Sequence, residues 1–377
     1  MTVPLLDLTR QYTEIQAEME AAALGVLRSC RYILGPEVEG LERELAAYLG
    51  CRHVVALSSG TDALLAAMMA HGIGPGDEVA MPVYSFFATA GAVARTGAKP
   101  VFVDIEPRFC NIDPAALERV LRERPRVKAV MIVHLYGAPA DLEAIGAITR
   151  RHGVALFEDA AQAIGTRYQG RPVGAFGLAA GWSTFPSKNL GGCGDGGFLS
   201  TDDDAFAERV RRLRNHGQSE LYRHEVVGGN FRMDALQAAL LRVKLRHLER
   251  YTERRRANAA LYAKLFREAG LGDVRLPEDV PDRHTYHQYV VHLPQGRRDA
   301  VREQLQAKGI GCAVYYPLAF HQQPCFQSLG YRPGDFPVAE RAALDNLALP
   351  IFPELRPEEI AEVVGAVRAA LQPAPAR

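Results

Sequence analysis

Apolar positions fall along this chain in two registers: short unbroken runs, and longer stretches in which they recur every three or four residues. The helical spacing first covers residues 11–28, through Ile15, Met19, Ala22 and Val26, and Gly35-Pro36 then starts a second helix running to about Leu49. His53-Val54-Val55-Ala56-Leu57 reads as a strand and Ser58-Ser59-Gly60-Thr61-Asp62 as the turn after it. An Ala/Leu/Met-rich helix follows to about His71, and Gly74-Pro75-Gly76-Asp77 turns into the strand Glu78-Val79-Ala80-Met81. The pattern continues as helix 87–96, strand 100–103, helix 113–122, strand 127–133, helix 140–152 and strand 154–158. Gly181-Trp182-Ser183-Thr184 is a further short strand, which breaks into a Gly-rich turn carrying Lys188.

Strands separated by helices of about ten residues are βα units, so the fold class is α/β, with a mainly parallel sheet covered on both faces. Ligands of such sheets sit in the loops at the carboxyl ends of the strands. From Asn230 to about Gly270 runs one long polar helix pattern with sparse apolar positions at Leu236, Leu240, Val243, Leu248, Leu261 and Leu265, a connector between domains. Beyond it, Tyr289–Leu293, helix 297–308, Gly311–Tyr316, a Pro-rich loop and helices near 337–346 and 357–371 make a smaller C-terminal α/β domain. The expected division is 1–245 for the large domain and 246–377 for the connector and small domain.

Composition narrows the function classes. The 377 residues are 48% hydrophobic and 23% charged, and 44 basic side chains balance 44 acidic ones, so no global charge steers the chain to nucleic acid or an anionic membrane. The Arg-rich runs at 209–214 and 254–256 read as solvated helix faces. Six scattered cysteines, with no C-x-x-C pair and no His at ligand spacing, argue for a reducing compartment and against a metal site. No basic-then-apolar leader opens the chain, and no apolar run approaches the roughly 20 residues of a membrane span. The expectation is a cytoplasmic protein.

Four loops carry candidate chemistry, each with a plainer alternative. Ser58 to Asp62 can aim backbone N–H groups and hydroxyls at an anion over a helix N-terminus, or be a simple N-cap. Asp159, at a strand end, can hold a pyridinium nitrogen protonated, or cap a helix. Phe86, in Pro82-Val83-Tyr84-Ser85-Phe86-Phe87, can stack on a planar ring, or feed the core. Lys188 is a nucleophilic amine if desolvated, or a surface lysine beside a tight turn. In the order given, the four suit the phosphate, ring nitrogen, ring face and aldehyde of pyridoxal 5′-phosphate.

These stretches also carry a resemblance. The chain resembles the DegT/StrS family of sugar-nucleotide aminotransferases over essentially its whole length. The likeness lies in Pro4-Leu5-Leu6-Asp7-Leu8, in Arg31-Tyr32-Ile33-Leu34-Gly35-Pro36-Glu37-Val38 and in Ser59-Gly60-Thr61-Asp62-Ala63-Leu64. It continues through Glu158-Asp159-Ala160-Ala161-Gln162-Ala163, Phe185-Pro186-Ser187-Lys188-Asn189-Leu190-Gly191, Gly229-Asn230-Phe231-Arg232-Met233-Asp234, Tyr315-Tyr316-Pro317, His321-Gln322-Gln323-Pro324 and Leu349-Pro350-Ile351-Phe352-Pro353. It implies the fold-type-I aminotransferase architecture, a large, mostly parallel seven-stranded sheet plus a smaller C-terminal domain. By this resemblance Lys188 matches the Schiff-base lysine and proton shuttle, Asp159 the partner of the pyridine nitrogen, and Gln162 the glutamine on the cofactor's 3-oxygen. Gly60, Thr61 and Ser183 match phosphate ligands and Phe86 the stacking position. Asn230 matches an asparagine that reaches the cofactor of a neighbouring subunit, which implies a homodimer with shared active sites. Arg232, Tyr316 and His321 fall where relatives contact the sugar nucleotide or the donor carboxylate.

Two positions depart from the family pattern: Tyr315, where many relatives have His, and Trp182, where Phe is usual. The activity implied is transfer of an amino group from L-glutamate to a nucleotide-linked keto-sugar, through the pyridoxamine 5′-phosphate form of the cofactor. The opening and the Tyr-Ile-Leu-Gly-Pro-Glu-Val stretch resemble 3-keto members acting on UDP- or dTDP-sugars. The rivals are a sugar dehydratase, which carries His in place of the lysine, and a regulatory relative without turnover.

Overall fold

Helix starts follow from local chemistry in the computed structural model, which describes residues 3–280 and 282–372; Met1-Thr2 of the chain's opening lie outside them. α1 (Leu8–Ser29) is capped by Asp7, whose carboxylate accepts from the Thr9 N–H at 3.0 Å. α2 (Pro36–Leu49) begins on proline, where the missing N–H has no helical partner to lose. Then come β1 (His53–Leu57), α3 (Gly60–Ala70), β2 (Glu78–Pro82), α4 (Ala88–Arg95), β3 (Lys99–Val103), α5 (Pro114–Glu123), β4 (Val127–Val133), α6 (Leu142–His152) and β5 (Ala155–Asp159). A small ribbon, β6 (Arg167–Tyr168) with β7 (Arg171–Pro172), precedes β8 (Ala179–Ser183), β9 (Gly197–Thr201) and α7 (Asp204–Arg214). After a second ribbon, β10 (Gln218–Glu220) with β11 (Arg223–His224), come α8 (Ala235–Glu268), β12 (Tyr289–His292), α9 (Arg298–Ala307), α10 (Pro337–Asp345), β13 (Asn346–Leu349) and α11 (Pro357–Leu371).

The large sheet has seven strands in the order β1-β9-β8-β5-β4-β2-β3. It is parallel from β8 to β3, and β9 runs antiparallel to both of its neighbours. Alternate strand residues feed two separate cores. Val55, Leu57, Met81, Met131 and Phe157 join α3 and α4 on one face, while Val54, Ala56, Ala80, Val130 and Leu156 join α2, α5 and α6 on the other. Both faces are therefore dry, which is why these strands read as continuous apolar runs. Trp182 is fully buried, stacked on Phe198 at 5.5 Å, and its indole N–H donates to the Ser200 hydroxyl at 2.8 Å. The indole is thus used, and phenylalanine would leave that hydroxyl short of a donor.

Two expectations are corrected. The stretch Gly311–Tyr316 forms no strand, only an isolated bridge between Ala313 and Ala348, with β13 paired to β12 instead. α8 is far more buried than its sparse leucines suggested, because Ala235, Ala238, Tyr251, Ala259, Tyr262 and Phe266 fill the stripe. Its first half joins the core under the large sheet, and its last turns join the core of β12, β13 and α11.

Candidate active site

The carboxyl ends of β2, β5 and β8 open beside the N-terminus of α3, around a cavity of about 460 Å³. Eight of the residues singled out in the sequence line it: Gly60, Thr61, Phe86, Asp159, Gln162, Ser183, Lys188 and Tyr316. The Ser59 hydroxyl accepts from the Asp62 N–H at 3.0 Å, which turns the chain sharply into α3. The N–H groups of Gly60 and Thr61 lie in the first turn, where no helical acceptor exists, so they and the Ser183 hydroxyl can face an anion. A Cβ on Gly60 would stand 2.8 Å from the Ser183 Cβ, so only glycine lets the helix start approach the end of β8. Past Lys188, a Cβ on Gly191 would lie 2.2 Å from the Pro186 carbonyl oxygen, and glycine is what allows that loop to close on itself.

Asp159 ends β5 and is buried. Its carboxylate accepts from the Thr89 hydroxyl at 2.7 Å and the Ala161 N–H at 3.2 Å. The Thr89 oxygen in turn takes the Ser85 hydroxyl proton at 3.0 Å. Burial pushes the Asp159 carboxyl above its usual range, while Thr89, Ala161 and the nearby Lys188 charge draw it back. The neighbouring Glu158 has a structural part. Burial would raise it too, but His134 at 2.9 Å and the N–H groups of Gly174, Phe176 and Gly177 hold it ionised below its usual value. Lys188 follows a tight turn closed by its own N–H on the Phe185 carbonyl at 2.8 Å. Burial lowers its amine to about 8, against the pull of Asp159. An amine so lowered is neutral in a useful fraction near pH 7.

Gln162 accepts from the Tyr136 N–H at 2.7 Å and donates to the Tyr316 hydroxyl at 3.0 Å. Tyr316 packs edge-on against Tyr84, with ring centres 6.1 Å apart, and Phe86 tilts towards it at 6.1 Å while remaining 54% exposed. Three singled-out residues do not line the cavity. Asn230 is exposed and bridges Asn215, Arg232 donates to the Asn215 side chain at 2.7 Å, and His321 is buried against Glu340 at 3.0 Å. The sequence reading missed Thr89, Ser85, His287 and Gln288. Ser85 and Thr89 sit four apart across the start of α4, a spacing that could have been noticed. His287 and Gln288 come from a loop with no periodic signal. His287 lines the cavity, donates to the Asn189 side chain at 3.2 Å, and is held neutral because burial and the Lys188 charge drive it well below its usual value.

The chemistry of the donor set fits pyridoxal 5′-phosphate. One end of the cavity offers unpaired N–H groups and hydroxyls, the other a buried carboxylate, and between them stands a lowered amine. Among the described residues no group of three or more His, Cys, Asp or Glu could hold a metal, and no helix is long and apolar enough to cross a membrane.

Comparison with known proteins agrees with this geometry. The model of the DegT/DnrJ/EryC1/StrS aminotransferase family matches residues 13–368. A pleiotropic regulatory protein of Geobacillus stearothermophilus is 50% identical over 97% of this chain and 97% of its own. The dTDP-3-amino-3,4,6-trideoxy-alpha-D-glucose transaminase of Streptomyces venezuelae is 44% identical over 97% of this chain and 95% of its own. The crystal structure of S. venezuelae DesV in complex with a ketimine intermediate superposes with a TM-score of 0.94 at 44% identity, covering 99% of this chain and 100% of that one.

Proposed function

The chain belongs to the DegT/DnrJ/EryC1/StrS aminotransferase family, and from that premise we propose that it is a pyridoxal 5′-phosphate-dependent aminotransferase that moves the amino group of L-glutamate onto a 3-keto-sugar linked to UDP or dTDP. The observation that carries the reading is the pairing of a lysine amine lowered to about 8 with a buried strand-end carboxylate in one cavity. The 3-amino product in the name of the S. venezuelae relative supports the 3-keto assignment.

When bound, the cofactor supplies an aldehyde that bonds an amine and a ring that takes up the electron pair released at the donor α-carbon. The protein's part is to hold groups and move protons. Gly60 and Thr61 N–H groups and the Ser183 hydroxyl would bind the phosphate at the positive end of α3. Asp159, kept in place by Thr89 and Ala161, would hold the ring nitrogen of the cofactor protonated. Gln162 Nε2, which gives one N–H to the Tyr316 hydroxyl, would turn its other N–H to a ring oxygen, and Phe86 would cover the ring face. Lys188 Nζ, easily deprotonated, would take the proton from the donor α-carbon and return it to the carbon on the other side of the donor nitrogen, two atoms along.

We further assign a homodimer with shared sites. Leu221, Tyr222 and Val227 are 79%, 86% and 89% exposed in the loop that leads to Asn230, which supports a covering partner there. Six free cysteines support a cytoplasmic location. We keep the domain division within α8, expected at 245/246; the helix leaves the core of the large sheet after Leu248 and joins the other core from Ala259, which supports a division there or a few residues later. A regulatory role without turnover is the second reading, favoured by the name of the Geobacillus relative.

The test is to load the protein as pyridoxamine 5′-phosphate made with ¹⁵N-glutamate and screen 3- and 4-keto-sugar nucleotides. The reading expects ¹⁵N in a 3-amino product. A product without nitrogen points to a dehydratase, and no conversion with any sugar points to the regulatory reading.

A further inference from the structure

Arg255, midway along α8, is only 4% exposed, yet among the described residues no carboxylate lies within ion-pair distance of it. Its hydrogen bonds all leave from Nη1, to the carbonyls of Ile351 at 2.8 Å, Tyr286 at 3.2 Å and His287 at 3.4 Å. The Nε–Nη2 edge, the fork that matches a carboxylate with two parallel hydrogen bonds, has no partner among the described residues. Among the described residues Glu354 is the acid whose charge it feels, and burial pushes that carboxyl up, towards its neutral form. A buried cation satisfied only by neutral carbonyls is expensive to maintain, and burial lowers Arg255 to about 10.

Its surroundings give the free edge a use. Arg255 lines a small cavity of about 70 Å³ with Leu5, Leu6 and Ile351. Four further residues, Ser187, His287, Gln288 and Tyr315, line both this cavity and the one that holds Lys188. The two spaces thus share a wall next to the reacting amine. His287 lines both spaces and its carbonyl accepts from Arg255 Nη1, so it joins the Lys188 cavity to the guanidinium. Gln288, in the shared wall, has a buried Oε1 with no partner, an acceptor suited to the amine of the donor rather than to its carboxylates. Arg255 does not itself line the Lys188 cavity, so the carboxylate on the reacting carbon belongs elsewhere.

We propose that the Nε–Nη2 edge of Arg255 is the subsite for the far carboxylate of the amino donor, the group that distinguishes a dicarboxylic amino acid from a monocarboxylic one. The inference rests on the aminotransferase reading. A donor whose amine enters beside Lys188 passes its side chain along His287 and Gln288 and ends on the guanidinium. The neutral carbonyls on Nη1 fix the plane of the fork before the donor arrives.

The experiment compares kcat/KM for L-glutamate with that for L-norvaline, which has the same chain length without the far carboxylate, in wild type, Arg255→Gln and Arg255→Lys holoenzymes. Wild type should prefer glutamate, and Arg255→Gln should cut the glutamate-to-norvaline ratio roughly 10- to 100-fold, mostly through the KM for glutamate. Arg255→Lys, which keeps the charge but not the fork, should restore part of it. A wild type without the preference, or a ratio unchanged by Arg255→Gln, overturns the subsite. If Arg255→Gln fails to fold, wild type alone decides: glutarate should compete with the donor at least tenfold better than butyrate, and equal competition overturns the proposal. A wild type that transaminates with no donor at all refutes the aminotransferase reading instead.

Discussion

Replacing Lys188 by methionine in the cofactor-free protein should make it more stable at neutral pH, by an amount that fades as the pH rises. Burial sets the lysine at about 8 in the folded chain against 10.5 when exposed. A lysine with a lower folded pKa binds its proton more tightly unfolded, so folding is penalised wherever the amine must stay charged. The penalty is complete below about pH 8 and is relieved as the pH climbs towards 10.5. A gap of 2.5 between those two values, at about 1.36 kcal/mol for each, gives about 3 kcal/mol at pH 7, falling below about 1 kcal/mol at pH 10. Methionine has similar bulk and no charge, so it removes the penalty with little change of packing. Urea unfolding of both proteins at pH 7 and pH 10 measures the difference, in which the titration of other groups cancels to first order. Loss of the Lys188 charge lets Asp159 rise further, which trims the effect without reversing its sign. A difference that is the same at both pH values, or a less stable variant at pH 7, would refute the claim that this amine is desolvated.

Asp159→Asn should keep the cofactor, because the α3 N-terminus and Lys188 remain, yet lower transamination at least about 100-fold through the weakened hold on the ring proton; near-wild-type rates would remove Asp159 from that role. Mixing Lys188→Ala with Asn230→Ala subunits should restore activity to about a quarter of wild type, since random exchange makes half the dimers hybrids and each hybrid has one complete site. No gain after verified exchange would place Asn230 outside a shared site.

Much of the cavity could be read in the chain because its groups follow strand ends. Asp159 stands where β5 stops and Gly60 and Thr61 where β1 passes into α3, so the apolar runs pointed to them, whereas Ser183, at the end of β8, was singled out only through the family resemblance. The periodic rule fails where position is set by tertiary contact. Thr89 supports Asp159 from a helix 70 residues earlier, and His287 and Gln288 enter from a loop fixed by Arg255 and Asn189. Asn230 and Arg232 sit together beside Asn215, away from the cavity wall of their own chain. β9 was overlooked because five residues between glycine-rich turns carry little pattern, although Gly197 is where the sheet lets β9 pass against Ser59, with a Cβ there only 2.4 Å from the Ser59 carbonyl carbon. The polar look of α8 misled for another reason: alanines and aromatics, not leucines, make its buried stripe.

The most direct test of the central claim, that Lys188 is the amine that holds the cofactor, is borohydride reduction of the holoenzyme followed by peptide mapping. The account predicts a single phosphopyridoxyl group on the peptide containing Ser187-Lys188-Asn189. A label on any other lysine, or none despite bound cofactor, would contradict it.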